Sequence, residues 1–202
     1  MKNTIIFENY NEKSKTYKKS TLDFNNEPTI LDFLKKTNLS KYFTKVADIV
    51  SDKTKNPKYS VNFLEEFLKV GKNGYYTKDT DHSQWVYLLS INGKIIKIGE
   101  SNKTLGNRWG SYGAGTRENR NNGTCSTTNY FISEIIRQSL NSKYKIELFG
   151  YRIPNVVIKI DVFGTTKKVI TNNVKSYESS LIEKFVNLYG KKPIVGKNGL
   201  VK

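Results

Sequence analysis

Glu178 stands at the start of a helical stretch, and Leu181, Ile182 and Phe185 follow it three, four and seven residues on. That spacing puts the carboxylate on the apolar stripe of its helix. An inward carboxylate is costly unless it is paired, hydrogen-bonded or metal-bound. Glu178 is therefore a metal ligand, or a group that satisfies amides of the first helical turn or pairs with a lysine. Leu105, Arg108 and Tyr112 repeat the pattern with opposite charge, projecting a guanidinium and a phenol from one helix face. A planar, permanent cation suits a phosphate better than an ammonium does; the alternative is a surface arginine stacked on Trp109 or Tyr112. The third signal is a lysine in an apolar strand. In "WVYLLSINGKIIKIGES", residues 85–101, Lys97 stands among Ile95, Ile96 and Ile98, and Gly99 follows at once.

Each of these side chains needs an element to hold it. Residues 85–101 read as a β-hairpin, followed by a short helix from Leu105 to Tyr112. "GAGTRENRNNGTCSTTN" has the composition of a flexible, ligand-facing loop; Arg117 and Arg120 within it, with Lys103 just ahead of the short helix, are candidate nucleic-acid contacts. "YFISEIIRQSL" is an amphipathic helix, "YKIELFGYRI" and "NVVIKIDVFG" are strands, and "TKKVIT" pairs with the latter. The last helix covers "SYESSLIEKFVNLYG" and ends at Gly190. This order predicts an α+β fold, a small, mainly antiparallel sheet flanked by helices, over residues 81–202. Residues 1–80 read differently: a polar arm, then helices in "NEPTILDFLKK" (Asn26 as cap, Pro28 in the first turn), "LSKYFTKVADIVS" and "SVNFLEEFLKVG". They are expected to form an N-terminal helical region for target recognition or assembly, with DNA or a second copy of the chain, as a homodimer, for partner.

Bulk properties narrow the chemistry. A chain of 202 residues holds one catalytic domain with a substantial core and a small appendage. No apolar run approaches a membrane span, and the polar N-terminus lacks a signal-peptide segment, so no membrane partner is expected. The single cysteine, Cys125, excludes an internal disulfide and a cysteine-based zinc site and points to an intracellular setting. The only histidine, His82, lies in a polar linker, which excludes histidine zinc sites and Ser-His-Asp triads. Lys and Arg number 34 against 18 Asp and Glu, a net charge of +16. Residues 1–80 carry +5 of it and residues 81–202 carry +11. A polyanion is the natural partner of the second part, because neutralising phosphates releases condensed counterions.

Taken in order, an aromatic-rich strand "WVY" (85–87), a "KIG" strand (97–99), the arginine helix "LGNRWGSY" (105–112) and the glutamate helix "ESSLIEKF" (178–185) resemble the GIY-YIG nuclease superfamily, in a variant with lysine for the second tyrosine and Trp85 for the first glycine. The resemblance covers roughly residues 83–198. It implies a metal-dependent DNA endonuclease, restriction-type or phage-encoded, acting on double-stranded DNA. Glu178 would hold a single divalent cation, Mg²⁺ or another such as Mn²⁺, against the scissile phosphate. Arg108 would stabilise charge on phosphorus. Tyr87 would orient or deprotonate the attacking water with Tyr112 beside it, and Asn198 matches the family's late asparagine. Lys97 would either hold the phosphate as an ammonium, the role we favour, or act as a base with a depressed pKa. The departure at Lys97 keeps an alternative open: a non-catalytic nucleic-acid-binding protein on the same fold.

The hairpin supplies a geometric test. With Asn92-Gly93 as a two-residue turn, Lys97 pairs with Leu88 and Tyr87 points to the other face. A loop one residue longer, with Gly93 in the left-handed region, or an equivalent bulge, puts Tyr87 opposite Lys97 on one face. The sequence favours the first register, and the nuclease reading requires the second.

Overall fold

The structure is a computed structural model and describes residues 3–56, 58–64, 67, 84–154, 156–171, 173–196 and 199–200. A hairpin of β1 (Thr4–Asn11) and β2 (Thr16–Asp23) leads to helix α1 (Ile30–Lys36), then strands β3 (Thr44–Ser51) and β4 (Tyr59–Phe63). The hairpin of β5 (Gln84–Ile91) and β6 (Lys94–Ser101) follows, with helices α2 (Leu105–Gly113), α3 (Arg117–Asn121) and α4 (Thr127–Asn141) after it. Strand β7 (Ile146–Ile153) precedes a second hairpin, β8 (Val156–Val162) and β9 (Thr165–Thr171). Helix α5 (Val174–Tyr189) and the short strands β10 (Val195–Gly196) and β11 (Gly199–Leu200) complete the order.

Five strands in the order β4-β3-β7-β5-β6 make the central sheet, and every pairing in it is antiparallel. The expected mainly antiparallel sheet flanked by helices is what the chain forms. Strand β5 lies inside the sheet and is buried at all its positions, because both sheet faces are covered. A strand covered twice reads as a continuous apolar run rather than an alternating one, which is how "WVYLLSI" reads. On one face Tyr87, Leu89 and Ile96 pack with Leu105, Trp109 and Tyr112 of α2, Phe131, Ile132 and Ile135 of α4, and Phe7 and Phe24 of the N-terminal hairpin region. On the other, Val86, Leu88 and Ile98 pack with Phe33 and Leu34 of α1 and with Leu181 and Phe185 of α5. Each such aliphatic or aromatic side chain contributes about 1.5–3 kcal/mol when removed from water.

The N-terminal expectation is corrected in three places. The polar arm is the β1–β2 hairpin. The second expected helix is strand β3, flanked by β4 and β7; Ala47, Asp48 and the β-branched Ile49 gain ladder partners on both sides, and that pairing outweighs a helical spacing of apolar residues. The third expected helix begins as strand β4, and most of its remainder lies outside the described residues. The first helix does form, but its cap is Thr29, whose hydroxyl accepts from the Asp32 amide at 3.2 Å, rather than Asn26. Among the described residues of 1–80, α1 stands beside four strands, and two of those strands belong to the same sheet as β5–β7, so these residues do not form the expected helical region.

Candidate active site

Asn92 and Gly93 both take left-handed φ values, 49° and 74°, as a two-residue turn of the tightest hairpin type requires. Ile91 accordingly pairs with Lys94 and Ser90 with Ile95. The register then slips: Leu89 pairs with Lys97, Leu88 with Ile98 and Tyr87 with Gly99, leaving Ile96 as the extra residue of a bulge. The turn is the short one that the residues favour, and the bulge supplies the shift that puts Tyr87 and Lys97 on one face, although they lie opposite Gly99 and Leu89 rather than opposite each other.

Gly99 is glycine for a steric reason. A Cβ there would lie 2.4 Å from both Cζ and the hydroxyl of Tyr87, so the phenol lies directly over the strand at that point. Its hydroxyl is 2.6 Å from that of Tyr112 on α2, and the two share a hydrogen bond. Trp109 packs against both rings, at centroid distances of 6.0 and 5.2 Å. Helix α2 is started by the Thr104 hydroxyl, which accepts from the Asn107 amide. Arg108, one residue before Trp109, places its guanidinium 6.0 Å from the Tyr112 ring centroid and 3.5 Å from Glu100 Oε1.

Lys97 is 7% exposed. Burial pushes its pKa below the ordinary lysine value, the nearby Glu178 opposes that, and Arg108 adds to it. Glu178 is half-buried and shifts the other way: burial raises its carboxyl, Glu100 raises it further, and Lys97 and Arg108 pull it down. Both shifts have one origin, the cost of holding charge away from water. Tyr87 is pushed well above the usual phenol value by burial and by Tyr112, and Tyr112 is raised by burial. Arg108 and Glu178 are thus each within electrostatic reach of Tyr87, Lys97 and Tyr112. A cavity of about 940 Å³ elsewhere is lined by none of the five.

Two residues of this neighbourhood were missed from sequence. Glu100 is the second acid of the cluster; it follows directly on the "KIG" stretch, and only the pairing with Arg108 singles it out. Its Oε2 is buried with no hydrogen-bond partner. Gln84, buried at the start of β5, caps α5: its Oε1 accepts from the amides of Asn173 and Val174 at 3.1 and 3.0 Å, where Asn173 makes no side-chain cap of its own. Nothing in its sequence position marks it, because the helix it caps begins some ninety residues later.

Among the described residues no three His, Cys, Asp or Glu side chains gather as a metal cage. The donors present, a carboxylate with an elevated pKa and an orphaned carboxylate oxygen beside it, fit a hard divalent cation that keeps most of its water and takes one or two protein oxygens. The remaining expectations fare unevenly. Asn198 lies outside the described residues. Lys103 is exposed, and Arg117 is largely exposed while resting 4.3 Å from the Tyr17 ring centroid. Arg120 is turned inward, with its guanidinium bonded to the Cys125 carbonyl at 2.7 Å and lying 4.4 Å from the Tyr10 ring centroid; the structure gives it an internal role. The segment expected as a flexible loop holds α3, capped by Thr116, and a Cβ on Gly115 would meet the Asn129 carbonyl at 2.3 Å, so this stretch is packed onto α4.

Neither a protein-family model nor a curated protein sequence matches the chain. Among the solved structures similar to it are two that cover most of the chain. One is the restriction endonuclease HPY188I in complex with product DNA, 27% identical, with a TM-score of 0.53 over 85% of this chain and 87% of that one. The chain shares its fold with a restriction endonuclease. The other is a mutant of bacteriophage T4 EndoII, 18% identical, with a TM-score of 0.47 over 77% of this chain and 94% of that one. No described helix is long and apolar enough to cross a membrane.

Proposed function

We propose that the chain is a metal-dependent DNA endonuclease with a GIY-YIG-type site, of restriction or phage kind, that hydrolyses phosphodiester bonds in double-stranded DNA. The observation that carries this reading is the bulge at Ile96, which brings Tyr87 and Lys97 to one face and so joins them to Arg108, Tyr112 and Glu178. The likeness to a restriction endonuclease bound to product DNA and the net charge of +16 support it.

In this reading Lys97 and Arg108 hold the scissile phosphate. The buried ammonium lacks a full counter-charge, so an arriving phosphate restores its preference for the charged form, and the guanidinium offsets charge that builds on phosphorus as water attacks. Tyr87 orients that water. Its phenol is protonated near neutral pH, and burial raises its pKa further, so its oxygen receives a hydrogen bond from the water while the two tyrosine hydroxyls share one between them. Glu178, with Glu100 beside it, would hold a divalent cation, which when bound polarises the phosphoryl oxygen and offsets the leaving oxyanion. Uncatalysed phosphodiester hydrolysis demands on the order of 20 kcal/mol of barrier reduction, and pre-set charge in a dry pocket is the largest single source of it.

Plasmid DNA incubated with Mg²⁺ or Mn²⁺ tests this. The wild type is expected to nick or linearise it, and Lys97→Ala, Arg108→Ala and Glu178→Ala each to lower the rate by at least a hundredfold. Salt-sensitive DNA binding with no cleavage by the wild type would instead make the chain a binding protein on this fold.

A further inference from the structure

Among the described residues, the β8–β9 hairpin forms a two-stranded sheet of its own and pairs with no strand of the central sheet. Six of the seven β8 positions are exposed. The hairpin is an arm, and seven residues per strand give it a length of about 23 Å. Its tip is unusual. Phe163 and Gly164 make the turn with φ values of 52° and 80°, and Phe163 is fully exposed. An aromatic side chain gains nothing from water there, and a left-handed φ is strained for a residue of this size. Asparagine or glycine would serve the turn better. The turn is nevertheless held in shape by Asp161, whose Oδ1 accepts from the Gly164 amide at 3.0 Å. Strain retained at a well-built exposed tip points to use of the tip.

The charges on the arm identify the partner. Lys159 faces Lys168 directly across the ladder, and Lys167, opposite Ile160, points to the other face of the ribbon. Like charges set opposite one another destabilise a hairpin. They would also repel a second identical arm, whereas they suit a phosphate backbone. A two-stranded ribbon fits a DNA groove, and an exposed phenylalanine at its end has the character of the apolar wedges that part stacked base pairs. The arm also runs into the helix of the candidate metal ligand: β9 ends at Thr171 and Glu178 follows in α5.

We propose that the β8–β9 arm is a DNA-contacting element whose Phe163 inserts between base pairs, with Lys159, Lys167 and Lys168 holding the flanking phosphates. This deepens the nuclease reading and rests on it. Insertion unwinds the duplex, so it leaves a topological record. The test closes nicked plasmid with ligase in the presence of full-length Glu178→Ala protein, removes the protein and reads the topoisomers. A shift in linking number that grows with protein is expected, and it should be lost when Phe163→Asn is added. Asparagine tolerates the left-handed turn, so this variant should melt at or above the parent's temperature and still retard DNA in a gel; Phe163→Trp should keep the shift. An equal shift with and without Phe163 overturns the proposal. So does a Phe163→Asn protein that changes from dimer to monomer in sedimentation with no effect on topology, which would assign the tip to self-association. Wild-type cleavage without any topoisomer shift would sink the wedge alone, whereas a shift without cleavage would sink the catalytic reading alone.

Discussion

A methyl group on Gly99 would occupy the place of the Tyr87 hydroxyl. Gly99→Ala must therefore move the phenol off the strand and break its bond to Tyr112. Overpacking of this kind costs roughly 1–3 kcal/mol, and misplacing a reacting-site group by about an ångström costs on the order of a hundredfold in rate. We expect the variant to fold with a lowered melting temperature and to cut plasmid about a hundredfold more slowly; an unimpaired rate would remove Tyr87 from the chemistry. Glu178 yields a second expectation at this scale. Its pKa is raised, first by burial and then by Glu100. A raised carboxyl stabilises the fold below the ordinary carboxylate value and loses that contribution as pH climbs through the raised one. Without divalent cations, wild type and Glu178→Gln should therefore melt alike near pH 4, and the glutamine variant should melt higher by about pH 8. Melting curves across that range check the sign, and a wild type that stayed the more stable at pH 8 would refute it. Lys97, Arg108 and Glu178 were legible in sequence because a charge on an apolar stripe is conspicuous. Glu100 was not, since its significance comes from the arginine of another element that turns towards it.

Elements decide whether such residues meet. The Asn92-Gly93 turn could be read directly, because two successive left-handed residues admit few sequences. The bulge at Ile96 could not, because an extra residue is defined by the strand opposite, and β5 is apolar enough to accept either register. Helices α2, α4 and α5 were visible through their 3.6-residue period, and Gly190 closes α5 with a φ of 66° as expected of a glycine at that place. How α5 begins was hidden, since its cap comes from β5. Gln84 fixes the helix of Glu178 to the strand of Tyr87, so it acts as a positioning residue. Gln84→Ala should lower stability by about 1 kcal/mol, as loss of a cap does. It should lower kcat more than it raises KM, because in the proposed reading the displaced Glu178 would hold the cation that acts on the bound phosphate. Gln84→Glu, which keeps an acceptor facing the helix N-terminus, should recover most of both. Equal kcat in wild type and the alanine variant would make the cap merely structural.

At the scale of the whole molecule, the charge asymmetry and the motif order both invited a division near residue 80, with a catalytic piece after it. The sheet crosses that point. Strand β3 pairs with β7 from Thr44↔Gly150 to Ile49↔Ile146, and the N-terminal hairpin covers α4, where the Phe7 and Phe131 rings meet at 5.1 Å. The local spacing of Leu39, Phe43, Val46 and Ile49 concealed this, because a residue that faces a helical neighbour in one reading faces a strand in the other, and only long-range pairing separates the two. Removing residues 1–80 would leave β7 as a bare edge, a ready template for pairing with other chains. It would also expose Phe131, Ile132 and Ile135 to water, each at a cost of about 1.5–3 kcal/mol. Set against a total stability of about 5–15 kcal/mol for a typical domain, that loss is decisive. A chain of residues 81–202 is therefore expected to aggregate or to lack cooperative melting, and to leave plasmid uncut even though it retains Tyr87, Lys97, Arg108, Tyr112 and Glu178. Circular dichroism and size-exclusion chromatography of that fragment check it. A monomeric fragment with a sharp melting transition would restore the N-terminal residues to the status of a separate module.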